Sequence, residues 1–147
     1  WLSYYNLAIG GLPGATARGM EPTYYWDALD DRLLDWLDAA TDDDEKVAFA
    51  APSMENLVIL QRWGRLGVEF RPQAAGTYRW YVVQHRPSGW QPVDRWLIRE
   101  AEPAYRKTIR EGGWGAWRLD VPLVWVYTYE EYVSAREEVE RRRKARR

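Results

Sequence analysis

Residues 46–64 of the chain read KVAFAAPSMENLVILQRWG, an apolar run that leads directly into a helical pattern. The run from Lys46 to Ala51 is short and apolar, which is typical of a buried strand. The dipeptide Pro52-Ser53 predicts the start of a helix with Ser53 as its N-cap, and Gly64 predicts the end of that helix. A strand followed at once by a helix is the building unit of an α/β fold.

The neighbouring segments continue this alternation. Between Asp27 and Ala40, large apolar residues recur at the spacing of one helix face; they are Leu29, Leu33, Trp36 and Leu37. Further apolar runs predict strands at 66–70, 78–84, 105–110 and 121–129, and Pro92 predicts the first turn of another helix. Since no helix separates the last two strands, we expect them to form an antiparallel hairpin. The whole pattern predicts a small Rossmann-like, three-layer α/β domain with a mostly parallel sheet and a C-terminal antiparallel hairpin.

The last predicted strand carries two features that constrain its place in the sheet. Pro122 has no backbone N–H, so we expect it to open the strand or to lie on an edge. Trp125, Tyr127 and Tyr129 alternate and therefore share one face, which is how a sheet covers its core. Such aromatic faces can also stack on sugars, but the core interpretation is favoured here.

Composition limits the classes of protein to which the chain can belong. Its 147 residues suit a single domain. The formal net charge of −1 provides no overall field for nucleic acid, and the absence of cysteine excludes disulfides, thiolate nucleophiles and cysteine–zinc sites. The longest strongly apolar run, Val121 to Tyr127, is far shorter than the ~20 residues of a membrane span.

None of the residue patterns predicts catalysis, a cofactor or a metal site. The glycine clusters at 10–14 and 112–115 do not join a predicted strand to a predicted helix, so neither indicates a phosphate-binding loop and we expect no nucleotide. His85 is the only histidine, and nothing beside it marks a nucleophile, which favours an ordinary histidine at a strand end. The acidic run from Asp42 to Glu45 lacks calcium-loop spacing and predicts a solvated turn.

The first 26 residues predict a junction segment. Glycines and Pro13 interrupt residues 1–21 too often for regular structure, yet the segment is too apolar for a disordered tail. We expect it to pack on this domain or on a membrane part of the same polypeptide, and the missing initiator methionine favours a longer protein. The candidate residues for the junction, or for contact with a sugar, are Tyr4, Tyr5, Asn6, Gly10, Gly11, Tyr24, Tyr25 and Trp26.

Residues 130–147 predict a charged helix with a basic end. Glutamates precede basic residues by four positions, an order that stabilises helices; the pairs are Glu137–Arg141, Glu138–Arg142 and Glu140–Lys144. The cations of the last turn also suit a helix C-terminus. A solvated helix is the favoured interpretation, and a basic segment that contacts anionic lipid is the alternative.

Several short motifs, in their order along the chain, resemble the C-terminal part of bacterial multi-spanning (GT-C type) glycosyltransferases. They are Leu2-Ser3-Tyr4-Tyr5-Asn6, Gly10-Gly11, Gly14-Ala15, Glu21 to Trp26, Leu34 to Ala40, Tyr81 to Arg86, Glu102 to Tyr105 and Val121 to Tyr127. The chain is similar in these motifs to the dolichyl-phosphate-mannose protein mannosyltransferases and the aminoarabinose transferases. The insertion at Gly112–Gly115 and the basic tail depart from that pattern.

The resemblance implies a parent enzyme in the cell membrane that takes a sugar from a polyprenyl-phosphate donor. This chain would be its non-catalytic, extracytoplasmic C-terminal domain, with a junction at 1–26, an α/β domain at 27–132 and a charged, basic tail at 133–147. The implied partners are the membrane domain and a glycan or protein acceptor, without nucleic acid or nucleotide. Two alternatives stay open: a stand-alone carbohydrate- or protein-binding module that uses exposed aromatics such as Trp26, Trp114 and Trp117, and a free-standing enzyme built around His85.

Overall fold

The computed structural model of the chain describes residues 10–23, 28–50, 52–72, 76–112 and 118–146. In chain order the elements are α1 (Gly11–Ala17), α2 (Asp31–Ala39), β1 (Lys46–Ala50), α3 (Met54–Arg62), β2 (Glu69–Pro72), β3 (Trp80–Gln84), α4 (Pro92–Glu100), β4 (Tyr105–Gly112), β5 (Arg118–Thr128) and α5 (Tyr129–Ala145). A single 3₁₀ turn, Pro87–Gly89, connects β3 to α4. The predicted strands and the helices predicted from Asp27 onward are therefore confirmed, with bounds shifted by a few residues.

The described strands form one mixed sheet in the order β2-β1-β3-β5-β4. β1 pairs in parallel with both β2 and β3, whereas β5 pairs antiparallel with both β3 and β4. The α/β class and the antiparallel pairing of the last two strands are confirmed. A mostly parallel, Rossmann-like sheet is not confirmed, because β5 follows β4 without a helix, inserts between β3 and β4, and forms the longest ladder in the sheet.

A bulge in β5 explains the position of Pro122. Lys107 pairs with Val124 and Thr108 pairs with Pro122, so Leu123 is an extra residue on β5. Pro122 does not open the strand, because β5 begins at Arg118. It does lie on an edge, as predicted, because this part of β5 pairs only with β4. Pairing with β3 ends at Val124, so the sheet does not require an N–H from Pro122 on that side.

Helices α1, α2 and α3 pack on one side of the sheet. Alternate residues of β1 and β3 are buried on this side, among them Val47, Phe49 and Val82. The helices contribute Leu12 from α1, Leu33, Leu34 and Leu37 from α2, and Leu57 from α3. Helix α2 begins later than Asp27 because the Asp30 carboxylate accepts a hydrogen bond from Leu33 N at 3.2 Å and caps the helix there.

Helices α4 and α5 pack on the opposite side. The second core contains Tyr81, Val83, Trp125 and Tyr127 from the sheet, Val93 and Leu97 from α4, and Ala135 from α5. All of these side chains are buried, so the aromatic face of β5 belongs to the core, as its alternation predicts. Thr128 and Glu131 form a capping box that starts α5 directly at the end of β5.

The prediction that residues 1–21 lack regular structure is wrong for the part that the structure describes. Gly11–Ala17 forms helix α1, Leu12 and Ala15 are fully buried, and Leu12 belongs to the first core. Gly10 allows the turn into the helix because its φ of 88° suits glycine. Pro13 lies in the first turn, where no backbone N–H is required. The packing of Leu12 stabilises a helix that the glycines of this segment would not form alone.

Candidate functional site

The carboxyl ends of the parallel strands are the usual place for a ligand in an α/β sheet, and His85 lies there, directly after β3. Its Nδ1 is 2.6 Å from the carbonyl oxygen of Pro122, and its ring stacks on Trp90 with 5.2 Å between centroids. A second tryptophan, Trp125, contacts the ring at 5.3 Å. Burial lowers the pKa of His85, and the hydrogen bond to Pro122 and the charge of Glu21 oppose that shift.

Residues 21–23 cover the loop that contains His85. Thr23 Oγ1 donates a hydrogen bond to the carbonyl oxygen of His85 at 2.8 Å. Glu21 Oε1 accepts a hydrogen bond from Ser88 N at 2.7 Å, and Glu21 also lies 3.8 Å from Arg86 Nε. The imidazole is therefore held by two tryptophans and a backbone carbonyl, and these contacts stabilise the loop. The contact at Nδ1 leaves Nε2 as the nitrogen that can exchange a proton.

A buried carboxylate joins α4 to β3. Asp94 is fully buried; its Oδ1 accepts a hydrogen bond from Tyr81 OH at 2.6 Å and its Oδ2 accepts one from Gln91 N at 2.7 Å. Burial raises the pKa of Tyr81, and the negative charge of Asp94 raises it further. Burial likewise raises the pKa of Tyr78 and of Tyr132, whose rings pack against Tyr81. This network anchors a helix and leaves neither carboxylate oxygen directed at solvent.

Metal ligation has no support among the residues that the structure describes. No group of three or more histidine, aspartate or glutamate side chains in that part of the chain could hold an ion. Two acidic side chains of α2 have structural partners: Asp38 accepts hydrogen bonds from Gly67 N at 3.1 Å and Val68 N at 3.2 Å, and Asp31 forms an ion pair with Arg65.

The predicted junction residues fall partly outside the described ranges. Gly10 is exposed at the start of α1 and Gly11 is buried as its first residue, so these two glycines belong to the entry of a helix. The remaining candidates, Tyr4, Tyr5, Asn6, Tyr24, Tyr25 and Trp26, lie outside the described residues. Trp114 and Trp117, which the binding-module alternative requires, lie outside them too, as does most of the Gly112–Gly115 insertion.

An exposed apolar face on α3 is the feature that sequence reasoning missed. Met54, Val58 and Ile59 are 39%, 37% and 39% exposed, and Trp63, which ends the helix, is 73% exposed. Met54 and Val58 lie one turn apart, as do Ile59 and Trp63, and the exposed Glu55 and Arg62 lie between these two pairs. The four apolar side chains together are called the apolar face of α3. The signal was present in the sequence, since residues 57–60 are all apolar and a helix can bury only one side of such a run.

Contacts with α2 and with the first core hold α3 in place. The ion pair between Arg65 and Asp31 and the hydrogen bonds from Gly67 and Val68 to Asp38 connect the end of α3 to α2. Leu57 is fully buried and fixes the rotation of α3 against the first core. The exposed side chains are therefore held in one orientation toward solvent.

A polar groove at the amino ends of β1 and β3 is a second candidate. It has a volume of about 430 Å³ and includes Arg71, Tyr78, Arg79, Tyr129 and Glu130 among its lining residues. Charges of both signs and two tyrosines surround it, so it could form hydrogen bonds to a polar ligand.

Comparison with family models, curated proteins and solved structures gives no match for this chain. The resemblance to membrane glycosyltransferases therefore stays a prediction. None of the helices in the described ranges combines the length and the apolar composition that crossing a bilayer requires.

Proposed function

We propose that this chain is a non-catalytic domain that packs, through the apolar face of α3, on the membrane domain of the same polypeptide. The resemblance of its motifs supports a membrane glycosyltransferase with a polyprenyl-phosphate sugar donor as the parent protein. In that setting the domain lies on the extracytoplasmic side and braces the membrane domain or helps it to bind the acceptor. The exposure of four apolar side chains on this helix, Met54, Val58, Ile59 and Trp63, carries the proposal.

The chemistry of the described residues supports a role without catalysis. The ring of His85 packs against Trp90 and Trp125, and its Nδ1 lies 2.6 Å from the carbonyl oxygen of Pro122, so these contacts explain its place in the loop without a catalytic role. Asp94 is buried with both oxygens accepting hydrogen bonds. Asp94 therefore stabilises the start of α4, and His85 stabilises the loop before α4.

The composition of the α3 face supports a protein partner. Tryptophan and methionine are enriched in protein interfaces, and a tryptophan is a frequent centre of binding energy. Trp63 leaves most of its surface in water, which is unfavourable for so large an apolar side chain unless a partner covers it. A partner surface that buried all four side chains would remove this cost.

Expression of this chain and of the membrane domain encoded upstream as separate polypeptides tests the proposal. We expect the two parts to co-purify from detergent, and we expect Ile59→Glu or Trp63→Glu to reduce the recovered complex by at least about tenfold, because each places a charge in an apolar interface. Met20→Glu is the matched control, since Met20 is also an exposed large apolar residue, 43% accessible, outside α3. Equal losses for all three variants would contradict the α3 interface.

Three results would remove the proposal as a whole. An upstream reading frame without membrane helices would eliminate the stated partner. Sugar transfer by this chain alone would contradict the non-catalytic role. Specific retention of a glycan by the isolated chain, abolished by Tyr129→Ala in the polar groove, would favour the alternative of a carbohydrate-binding module.

A further inference from the structure

A groove between α4 and α5 is lined almost entirely by arginine and apolar side chains. Its volume is about 500 Å³, and its lining residues are Pro92, Arg95, Trp96, Arg99, Val139, Arg142, Arg143 and Arg146. Five of the eight are cations, and none is acidic. The shallow continuation of the groove toward the start of α4 includes Glu140, which pairs with Arg136 at 3.3 Å.

Few of these cations are neutralised by carboxylates of the residues that the structure describes. Arg142 contacts Glu138 at 2.5 Å, and Glu138 also pairs with Arg141, so one carboxylate serves two arginines. Arg95 and Arg99 form hydrogen bonds to the backbone carbonyl oxygens of Pro87 and Arg95, which carry no net charge. The groove is therefore strongly positive even though the chain as a whole has a net charge of −1.

The chemistry of the groove indicates an anionic ligand with an apolar boundary. Guanidinium groups recognise phosphate oxygens through paired hydrogen bonds. Trp96 and Val139 add an apolar floor, to which Trp96 contributes its ring while its indole Nε1 is buried. A helix that combines a dense arginine cluster with apolar side chains is typical of contact with an anionic membrane surface. The apolar side chains of the groove favour a bilayer over nucleic acid as the partner.

We propose that the α4–α5 arginine groove binds the phosphate headgroups of an anionic lipid bilayer. The last turn of α5 and the outer side of α4 then lie on the membrane surface, and Trp96 faces the headgroup layer. This proposal does not depend on the partner of α3 or on the activity of a parent enzyme, because it rests on the charges and volume of this groove alone.

Sedimentation of the full chain with lipid vesicles tests this proposal. We expect binding to vesicles of phosphatidylcholine mixed with phosphatidylglycerol and none to vesicles of phosphatidylcholine alone. The variant Arg99→Gln/Arg143→Gln should bind the anionic vesicles roughly 30-fold more weakly, since each cation at such a surface contributes a factor of about five. Both side chains are exposed, so the fold should be unaffected, and circular dichroism verifies this.

The matched control is Arg32→Gln/Arg62→Gln, which removes the same charge from exposed positions on α2 and α3. Retained binding by this control supports the groove, whereas an equal loss in both variants would show attraction to overall charge and overturn the proposal. Equal binding to uncharged vesicles would also overturn it. Displacement of the chain from vesicles by low concentrations of inorganic phosphate would assign the groove to a soluble phosphate. Tight binding of double-stranded DNA that is lost in Arg99→Gln/Arg143→Gln would assign the groove to nucleic acid. Either result rejects the bilayer as the partner.

Discussion

At the scale of single residues, Asp94 connects the buried tyrosines to the start of α4. Its two oxygens satisfy Tyr81 OH and Gln91 N in a site without solvent. Replacing Asp94 with alanine leaves both donors without this acceptor, and we expect a loss of about 3 kcal/mol in the free energy of unfolding. Urea unfolding measures the loss.

Asp35→Ala is the control for this prediction, since Asp35 is an exposed aspartate within α2. We expect it to change the free energy of unfolding by less than about 0.5 kcal/mol. If Asp94→Ala cost no more than Asp35→Ala, the network around Tyr81 would not anchor α4.

His85 provides a second prediction at this scale, based on pH. Because burial lowers the pKa of His85 in the folded state, the unfolded chain binds a proton more readily. The stability that depends on the neutral imidazole is present above the unfolded pKa of about 6.5 and is lost as the pH falls through the lower, folded pKa.

Measurement of unfolding at several pH values between about 7.5 and 5.5 tests this sign, because His85 is the only histidine in the chain. The wild-type chain should lose stability toward the acidic end, and His85→Gln should show a smaller dependence on pH in the same window. A dependence that the substitution leaves unchanged would mean that groups other than His85 cause it.

At the scale of elements, α1 shows how tertiary packing overrides local preference. Leu12 has no exposed surface and contacts the first core, so we expect Leu12→Ala to lower the free energy of unfolding by about 3 kcal/mol through the cavity that it leaves. Met20→Ala, at an exposed apolar residue just beyond α1, should cost less than about 0.5 kcal/mol. Similar values for the two variants, measured by urea unfolding, would indicate that α1 does not stabilise this domain.

The electrostatic pairs of α5 were predictable only in part. The pair Glu138–Arg142 forms as its spacing predicts. Arg141 contacts Glu138 instead of Glu137, and Glu140 pairs with Arg136. The spacing of residues defines which pairs are within reach, but the choice among several charged neighbours depends on the burial of each side chain, and Glu138 is the more buried glutamate.

At the scale of the whole molecule, the features proposed for function lie on two different surfaces. The apolar face of α3 is on the side of the sheet that carries the first core, and the arginine groove is on the side that carries α4 and α5. One flat bilayer cannot contact both surfaces, so the part of the membrane domain that packs on α3 must project out of the bilayer if both proposals hold. The sedimentation and co-purification experiments separate them, because the substitutions do not overlap.

The sequence by itself determined the order and type of most elements, because alternation, helical spacing and capping residues are local properties of the chain. It also predicted the burial of Trp125 and Tyr127, because a strand with one apolar face buries that face against the core. Only the tertiary structure decided that β5 lies between β3 and β4, that Leu12 joins the core, that α3 keeps an apolar face exposed, and that arginines of α4 and α5 meet in one groove. Each of these depends on which distant segments pack together, and contacts between distant segments leave no regular spacing along the chain.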